Sequence, residues 1–324
     1  MSSAPQQPAL EVLLDRADNF AGRGDAKAAM SFYQAALRSA RTAPVSDQAT
    51  AQRLRNAQDF IEARSSEFLR SLDQALAHFA PEAATSRLRL MHALQMLKGE
   101  RSIYPQQPSV FYYPYLAQRQ FFERDEFDWA EEFEAETAII RDELVALLTE
   151  GAPFRPYVDD DPERPRRDFH GLNNNPSWSA FYLWKEGQLV EENAARCPRT
   201  VEALKRLPLT HIGARTPVAL FSRLGGGAHI PPHFGMLNSR VVCHLPLIVP
   251  KGGWLRVGNE TREWEEGKLL IFDDSIEHEA RNPEGQLRTI LIFDVWRPEL
   301  SDTERQAISA IFHSIDSFQA LPDA

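Results

Sequence analysis

The stretch "HIPPHFGMLNSRVVCHL", His229–Leu245, decides how the rest of the chain is read. It holds three of the nine histidines, His229, His233 and His244, and "DDSIEHEARN" adds His278 further on. The run "RVVCHLPLIV" is β-branched and aliphatic, the composition of a strand. On a strand, Arg240 and His244 share one face with Val242 between them, and Cys243 faces the other way. His233, after two prolines, is expected in a turn just ahead of a strand. His278 is expected inside a strand at 276–281, and Asp274 shares its parity if that strand starts early.

Outward from this stretch, β-patterning begins at about residue 217. "PVALFSRL", "RVVCHLPLIV", "GWLRVG", "ETREW", "KLLIFD", "IEHEAR" and "RTILIFDVW" are short runs divided by Gly, Pro, Asn or charged turns. Short strands at this spacing predict an antiparallel sandwich or jelly roll. A closing helix is expected at 302–318. Upstream, residues 9–43 read as a helical hairpin broken at Gly22 and Gly24. Ala17, Phe20, Gly24, Ala29, Tyr33 and Ala36 have the order and spacing of one tetratricopeptide unit. Residues 47–98 are again helical. "SIYPQQPSVFYYPYL" (102–116) reads as an extended linker, 125–148 as one amphipathic helix, and "VDDDPERPRRDFHGLNNNPSW" as a long polar loop of the kind that borders sites. The expected fold class is therefore α+β. A tetratricopeptide-like helical domain, 1–100, precedes a jelly-roll domain, 101–324.

Hydrophobic residues are 43% and charged residues 25% of the chain, enough for a real core. A net charge of −10 argues against a general nucleic-acid partner. Two cysteines, Cys197 and Cys243, form neither a zinc motif nor a disulfide scaffold, which favours a reducing compartment. No segment approaches the ~20 apolar residues that span a bilayer. The expectation is a cytoplasmic protein with no membrane partner.

Ionisable residues facing into a jelly roll are costly unless paired or bound to something. Any one of these histidines reads most simply as a hydrogen-bonded core residue. As a set, two separated histidines with cationic and hydroxyl neighbours fit a non-haem iron site. Such sites usually add a carboxylate two residues after the first histidine. Here the sequence is His233-Phe234-Gly235, so glycine stands in that place.

Residues 105–300 resemble the aspartyl/asparaginyl β-hydroxylase family of 2-oxoglutarate-dependent oxygenases. The likeness is carried by "FYYPYLAQRQFFERDEFDW", "FYLWKEGQ", "ENAARCPRT", "HIPPHFGMLNSR", "HLPLIVP", "VGNETREWEEGKLLIFDDSIEHEARN" and "RTILIFDVWRPEL". It implies two protein ligands to Fe(II), His233 and His278, with glycine replacing the carboxylate. It also implies that Ser222 and Arg288 hold the distal carboxylate of 2-oxoglutarate, and that His244 lies near its other carboxylate. Arg240 would meet the carboxylate or amide of the substrate, with Asp274 on the substrate side. An arginine often found two residues before the histidine at 244 is Val242 here, which leaves the C1 carboxylate without that partner. The family's larger animal members also carry tetratricopeptide repeats before the oxygenase domain.

The implied activity is hydroxylation of a carbon of an Asp/Asn-like residue in a peptide, protein or small amino-acid substrate, using O2 and releasing succinate and CO2. The helical region reads most simply as a packing module, with a surface for protein contacts as the alternative. The competing reading is a binding or adaptor protein that has lost turnover, and the intact metal and distal-carboxylate positions count against it. Asp273, Glu277 and Glu279 are expected to orient His278 or lie in solvent. Cys243 is expected to pack, Cys197 to be structural or exposed, and His229 to lie near the mouth without a role.

Overall fold

The computed structural model describes residues 10–41, 47–77, 79, 84–158 and 173–319. Most of the expected polar loop, 159–172, lies outside the described residues. The chain separates into two compact units, Met1–Arg101 and Ser102–Ala324.

The first unit is helical: α1 Leu10–Gly22, α2 Ala26–Ala40, α3 Gln48–Leu76 and α4 Ala84–Lys98. Gly24 turns the chain between α1 and α2 at φ +78°, a conformation glycine adopts without steric cost. Asp25 then caps α2 by accepting from the Ala28 N–H, and Asp47 caps α3 by accepting from Thr50. Ala17, Ala29, Tyr33 and Ala36 are buried in the core of this unit, with Ala57 of α3 against them. The small alanines let α1 and α2 approach closely, and the Tyr33 hydroxyl donates to Asp18.

The second unit opens with β1 Phe121–Phe122, a single 3-10 turn at Arg124–Glu126, α5 Ala130–Ala135 and α6 Thr137–Thr149. The single helix expected at 125–148 is therefore broken, with Glu136 as the joint between α5 and α6. The cause lies beside the joint. The Glu134 carboxylate is buried, accepts from the Leu269 N–H and pairs with Arg124 and Lys268. Thr137 donates its hydroxyl to the Glu134 carbonyl, which closes one helix where the next begins.

Then come β2 Arg155–Pro156, β3 Trp178–Lys185, β4 Gln188–Leu189, α7 Glu191–Ala194 and α8 Pro198–Lys205. The remaining elements are β5 Ala219–Leu224, β6 His229–His233, β7 Arg240–Ile248, β8 Trp254–Val257, β9 Glu260–Glu263, β10 Leu270–Phe272, β11 His278–Arg281, β12 Arg288–Trp296 and α9 Asp302–Gln319. Among the described residues they form two antiparallel sheets. The major sheet runs β1-β10-β7-β12-β5-β3-β2, with β4 on β3, and the minor sheet runs β6-β11-β8-β9. One face of the major sheet is covered by Phe133, Ile140, Leu144 and Leu204 from the helices. Between the sheets lie Trp178, Leu224, Val242 and Phe272 of the major sheet, with Ile230, Leu255 and Val257 of the minor one. This is the expected α+β class, with a jelly roll following helices. Strands β7 and β12 are central and buried on both faces, which is why they read as near-continuous apolar runs. No helix among the described residues is long and apolar enough to cross a membrane.

Two local expectations change. His233 closes strand β6 rather than sitting in a turn, and it pairs directly with His278 of β11. Pro231 and Pro232 concealed this strand, but β6 is a sheet edge, where a missing N–H is tolerated. Asp274 lies in the turn between β10 and β11, because β11 starts only at His278, so strand parity does not place it.

Candidate active site

Strand register places most of the site. On β7, Arg240, Val242 and His244 point between the sheets, opposite Trp296, Asp294 and Ile292 of β12. On β12 the same parity brings in Ile290 and Arg288, and Ser222 of β5 sits opposite Ile290. Cys243 faces the helices in the outer core, fully buried. Cys197 is also buried, and burial pushes its thiol up to about 12, so it is no nucleophile.

His233 and His278 face each other across β6 and β11 with ring centroids 4.0 Å apart. Each ring hydrogen-bonds through Nδ1 to the backbone carbonyl two residues earlier, Pro231 O at 2.8 Å and Ile276 O at 3.0 Å. A carbonyl only accepts, so each Nδ1 carries the proton and each Nε2 keeps its lone pair. Burial holds His233 below its ordinary pKa. Burial first, then the neighbouring His233, holds His278 well below. Both rings are thus neutral and of the tautomer that ligates a metal through Nε2. The carboxylates expected to orient His278 are engaged elsewhere. Asp273 is buried against Arg297 at 2.9 Å, while Glu277 and Glu279 pair with Arg256. His229 is exposed and pairs with Glu279.

Gly235 follows His233 by two residues, and a Cβ there would stand 2.0 Å from an Asp274 carboxyl oxygen. The space a third ligand would need is filled by Asp274. Its backbone oxygen accepts from Gly235 N, and the extended segment at 107–110 straps the same turn, with Ser109 N donating to Gly235 O. Among the described residues no group of three or more His, Cys, Asp or Glu could hold a metal. The protein offers two imidazoles, a donor set that would suit a divalent metal such as iron(II) with open positions.

Arg288 is the second decisive feature. It is 1% exposed, its Nη2 donates to Ser222 Oγ at 3.3 Å, and its Nε has no partner. Among the described residues no carboxylate pairs with it. Burial without a counter-anion pushes this guanidinium down to about 9. It also lies over the face of Trp264, 4.7 Å away. Trp264 also donates from Nε1 to His244 Nδ1 at 3.3 Å. His244 is held neutral, well below its ordinary pKa, by burial and then by Arg288. Its proton is therefore on Nε2, free to donate to an incoming carboxylate.

Arg240 differs from Arg288. Its Nη2 donates to Asp274 Oδ2 at 2.8 Å, and its Nη1 lies 3.6 Å from Asp294 Oδ2. Sequence reasoning passed over Trp264 and Asp294. It also passed over Tyr157, which stacks on Trp178 with centroids 4.1 Å apart and lies within electrostatic reach of Arg240, Asp274 and Asp294. The parity of Asp294 with Arg288 along "RTILIFDVW" was the available signal.

Fold and site together define a class: a jelly roll presenting two neutral imidazoles and one uncompensated guanidinium to its interior. A family model described as Aspartyl/Asparaginyl beta-hydroxylase matches residues 134–298, just over half of the chain, and the chain belongs to that family. It is 38% identical over 174 residues to the human "Aspartyl/asparaginyl beta-hydroxylase", covering 53% of this chain and 22% of that protein. It is 33% identical over 189 residues to the "Ornithine lipid ester-linked acyl 2-hydroxylase" of Rhizobium tropici, covering 57% and 63%. The chain therefore spans less than two thirds of either relative. A Pseudomonas putida prolyl-4-hydroxylase structure aligns over 52% of this chain and 99% of its own at 16% identity and a TM-score of 0.31.

Proposed function

We propose that the chain is an iron(II)- and 2-oxoglutarate-dependent hydroxylase acting on a carbon of an Asp/Asn-like residue in a peptide, protein or small amino-acid substrate. The supporting observation is Arg288, a buried guanidinium with a hydroxyl beside it and no anion among the described residues, on the sheet that faces the one bearing the paired imidazoles. A dicarboxylate supplies the missing charge. Iron(II) with 2-oxoglutarate, when bound, supplies dioxygen activation: one oxygen atom goes to the substrate C–H as hydroxyl, the other to succinate, with carbon dioxide released.

The chain's own part is binding and orientation. His233 and His278 hold the metal through Nε2. Arg288 and Ser222 take the distal carboxylate with a charge-assisted fork. His244 offers its Nε2–H to the other carboxylate, the role left open by Val242. The apolar residues Val242, Phe272 and Ile292 exclude water. Arg240 and Asp274 lie where the prime substrate would sit. The helical unit is proposed as a protein-contact surface. The test is succinate release by the full chain with iron(II), ascorbate and 2-oxoglutarate. His233→Ala and His278→Ala should abolish it, and full activity in His278→Ala would overturn the metal assignment. No succinate from the wild type would leave the adaptor reading standing.

A further inference from the structure

Two buried arginines face the interior of the jelly roll, and they are not in the same electrostatic state. Arg288 has no carboxylate partner among the described residues. Arg240 has two, Asp274 and Asp294, within 2.8 and 3.6 Å. All three side chains of the Arg240 group are buried. A substrate carboxylate arriving at Arg240 would be a third anion around one cation.

The unsatisfied atoms describe what is wanted instead. Asp274 Oδ1 and Asp294 Oδ2 are buried acceptors with no hydrogen-bond donor. Arg240 Nε is a buried donor with no acceptor. Buried polar atoms of this kind are normally paired, and each one left open calls for a partner from a water or a ligand. The other Asp294 oxygen is already used, accepting from the Val218 N–H at 2.9 Å. That bond fixes the carboxyl and aims Oδ2 at Arg240. The missing complement is a small group with two N–H donors and one oxygen acceptor.

Resting on the hydroxylase reading above, we propose that the Arg240–Asp274–Asp294 cluster selects a primary carboxamide on the prime substrate and disfavours the matching carboxylate. The amide NH2 donates to the two aspartates, and its oxygen accepts from Arg240. Asp294 is then a specificity-determining residue. Its carboxylate cancels the charge that would otherwise draw an acid. A site built to hydrogen-bond one polar group rejects an isostere that leaves its buried atoms unpaired.

The experiment uses the full chain with iron(II), 2-oxoglutarate and ascorbate. Two degenerate peptide pools differ only in a fixed central Asn or Asp, and product is read as a +16 Da mass increase, ~16 Da being one oxygen atom. The Asn pool should be hydroxylated at least about tenfold faster, equal to roughly 1.4 kcal/mol of discrimination. Asp294→Asn keeps an acceptor for Val218 but replaces the free oxygen by a donor, so the Asn-over-Asp ratio should fall about tenfold or more. Thermal unfolding checks the variant, and if it does not fold, Asp274→Asn removes the other carboxylate and gives the same reading. Equal use of the pools, preference for Asp, or a ratio unmoved by the variants would overturn the proposal. So would succinate formation with neither pool hydroxylated. Absence of succinate altogether would strike the hydroxylase reading instead.

Discussion

Replacing Arg288 by methionine separates what this side chain does for binding from what it costs the fold. A buried guanidinium pushed from 12.5 down to about 9 is penalised by roughly 5 kcal/mol, at about 1.4 kcal/mol per pKa unit. Methionine fills similar volume without charge. It forfeits the Ser222 hydrogen bond, about 1 kcal/mol, and the contact over Trp264, about 2 kcal/mol. The net is a ligand-free variant more stable than the wild type by about 1–2 kcal/mol. In a unit of this size that is roughly 2–8 °C in Tm, at about 2–4 °C per kcal/mol. The order reverses when 2-oxoglutarate is added with zinc in place of iron. At a hundredfold excess over Kd the wild type gains about 2.7 kcal/mol. The variant, lacking a buried charge partner worth about 2–5 kcal/mol, gains little at the same concentration. Differential scanning fluorimetry reads both effects. A ligand-free Arg288→Met protein that melts below the wild type, or one with an undiminished 2-oxoglutarate shift, would refute the reasoning.

Gly235→Ala should destabilise the second unit by about 1–3 kcal/mol, the usual cost of overpacking, because its Cβ would lie 2.0 Å from Asp274; denaturant unfolding checks it. Trp264→Phe keeps a ring over Arg288 but removes the N–H to His244. It should raise the KM for 2-oxoglutarate several-fold with little change in kcat, and nitrogen NMR should show His244 no longer held as one tautomer. Asp294→Asn should become stabilising as pH rises. Burial pushes Asp294 up to about 6 from 3.8, so the stability its protonated form contributes is complete below about 4 and is lost as pH rises through about 6. The variant's advantage should grow by up to about 3 kcal/mol across that window, and a constant difference would remove the assigned cause.

The fold was legible where periodicity was uninterrupted. The central strands announce themselves because both faces are buried, and the helical hairpin because alanines and Tyr33 recur on one face. His233 was misplaced in a turn because two prolines argue against a strand, and only the sheet order shows that β6 is an edge. The break at Glu136 depends on where the Glu134 carboxylate is anchored, a contact over a hundred residues distant that local pattern cannot express. In the site, the two histidines stood out in the sequence itself, while their metal role and the Arg288–Ser222 pair came with the family resemblance. Asp294 was legible in neither way. In "IFDVW" it looks like a strand-end charge, and its role follows from register against Val242. Trp264 was passed over for a similar reason, since its significance lies in touching His244 and Arg288, which are remote from it in sequence.

The prolines of β6 carry one more consequence. Many proteins capture extended peptides by letting them add a strand to an open sheet edge, where main-chain hydrogen bonds supply affinity without regard to side chains. The edge strand bearing His233 offers no N–H at Pro231 or Pro232. A peptide laid along it would find a ladder donor missing two residues or fewer from His233. Peptide capture by strand addition is thereby weakened beside the histidine pair. For the proposed hydroxylase, that would leave selection of a polypeptide substrate to the side chain entering the barrel rather than to its backbone.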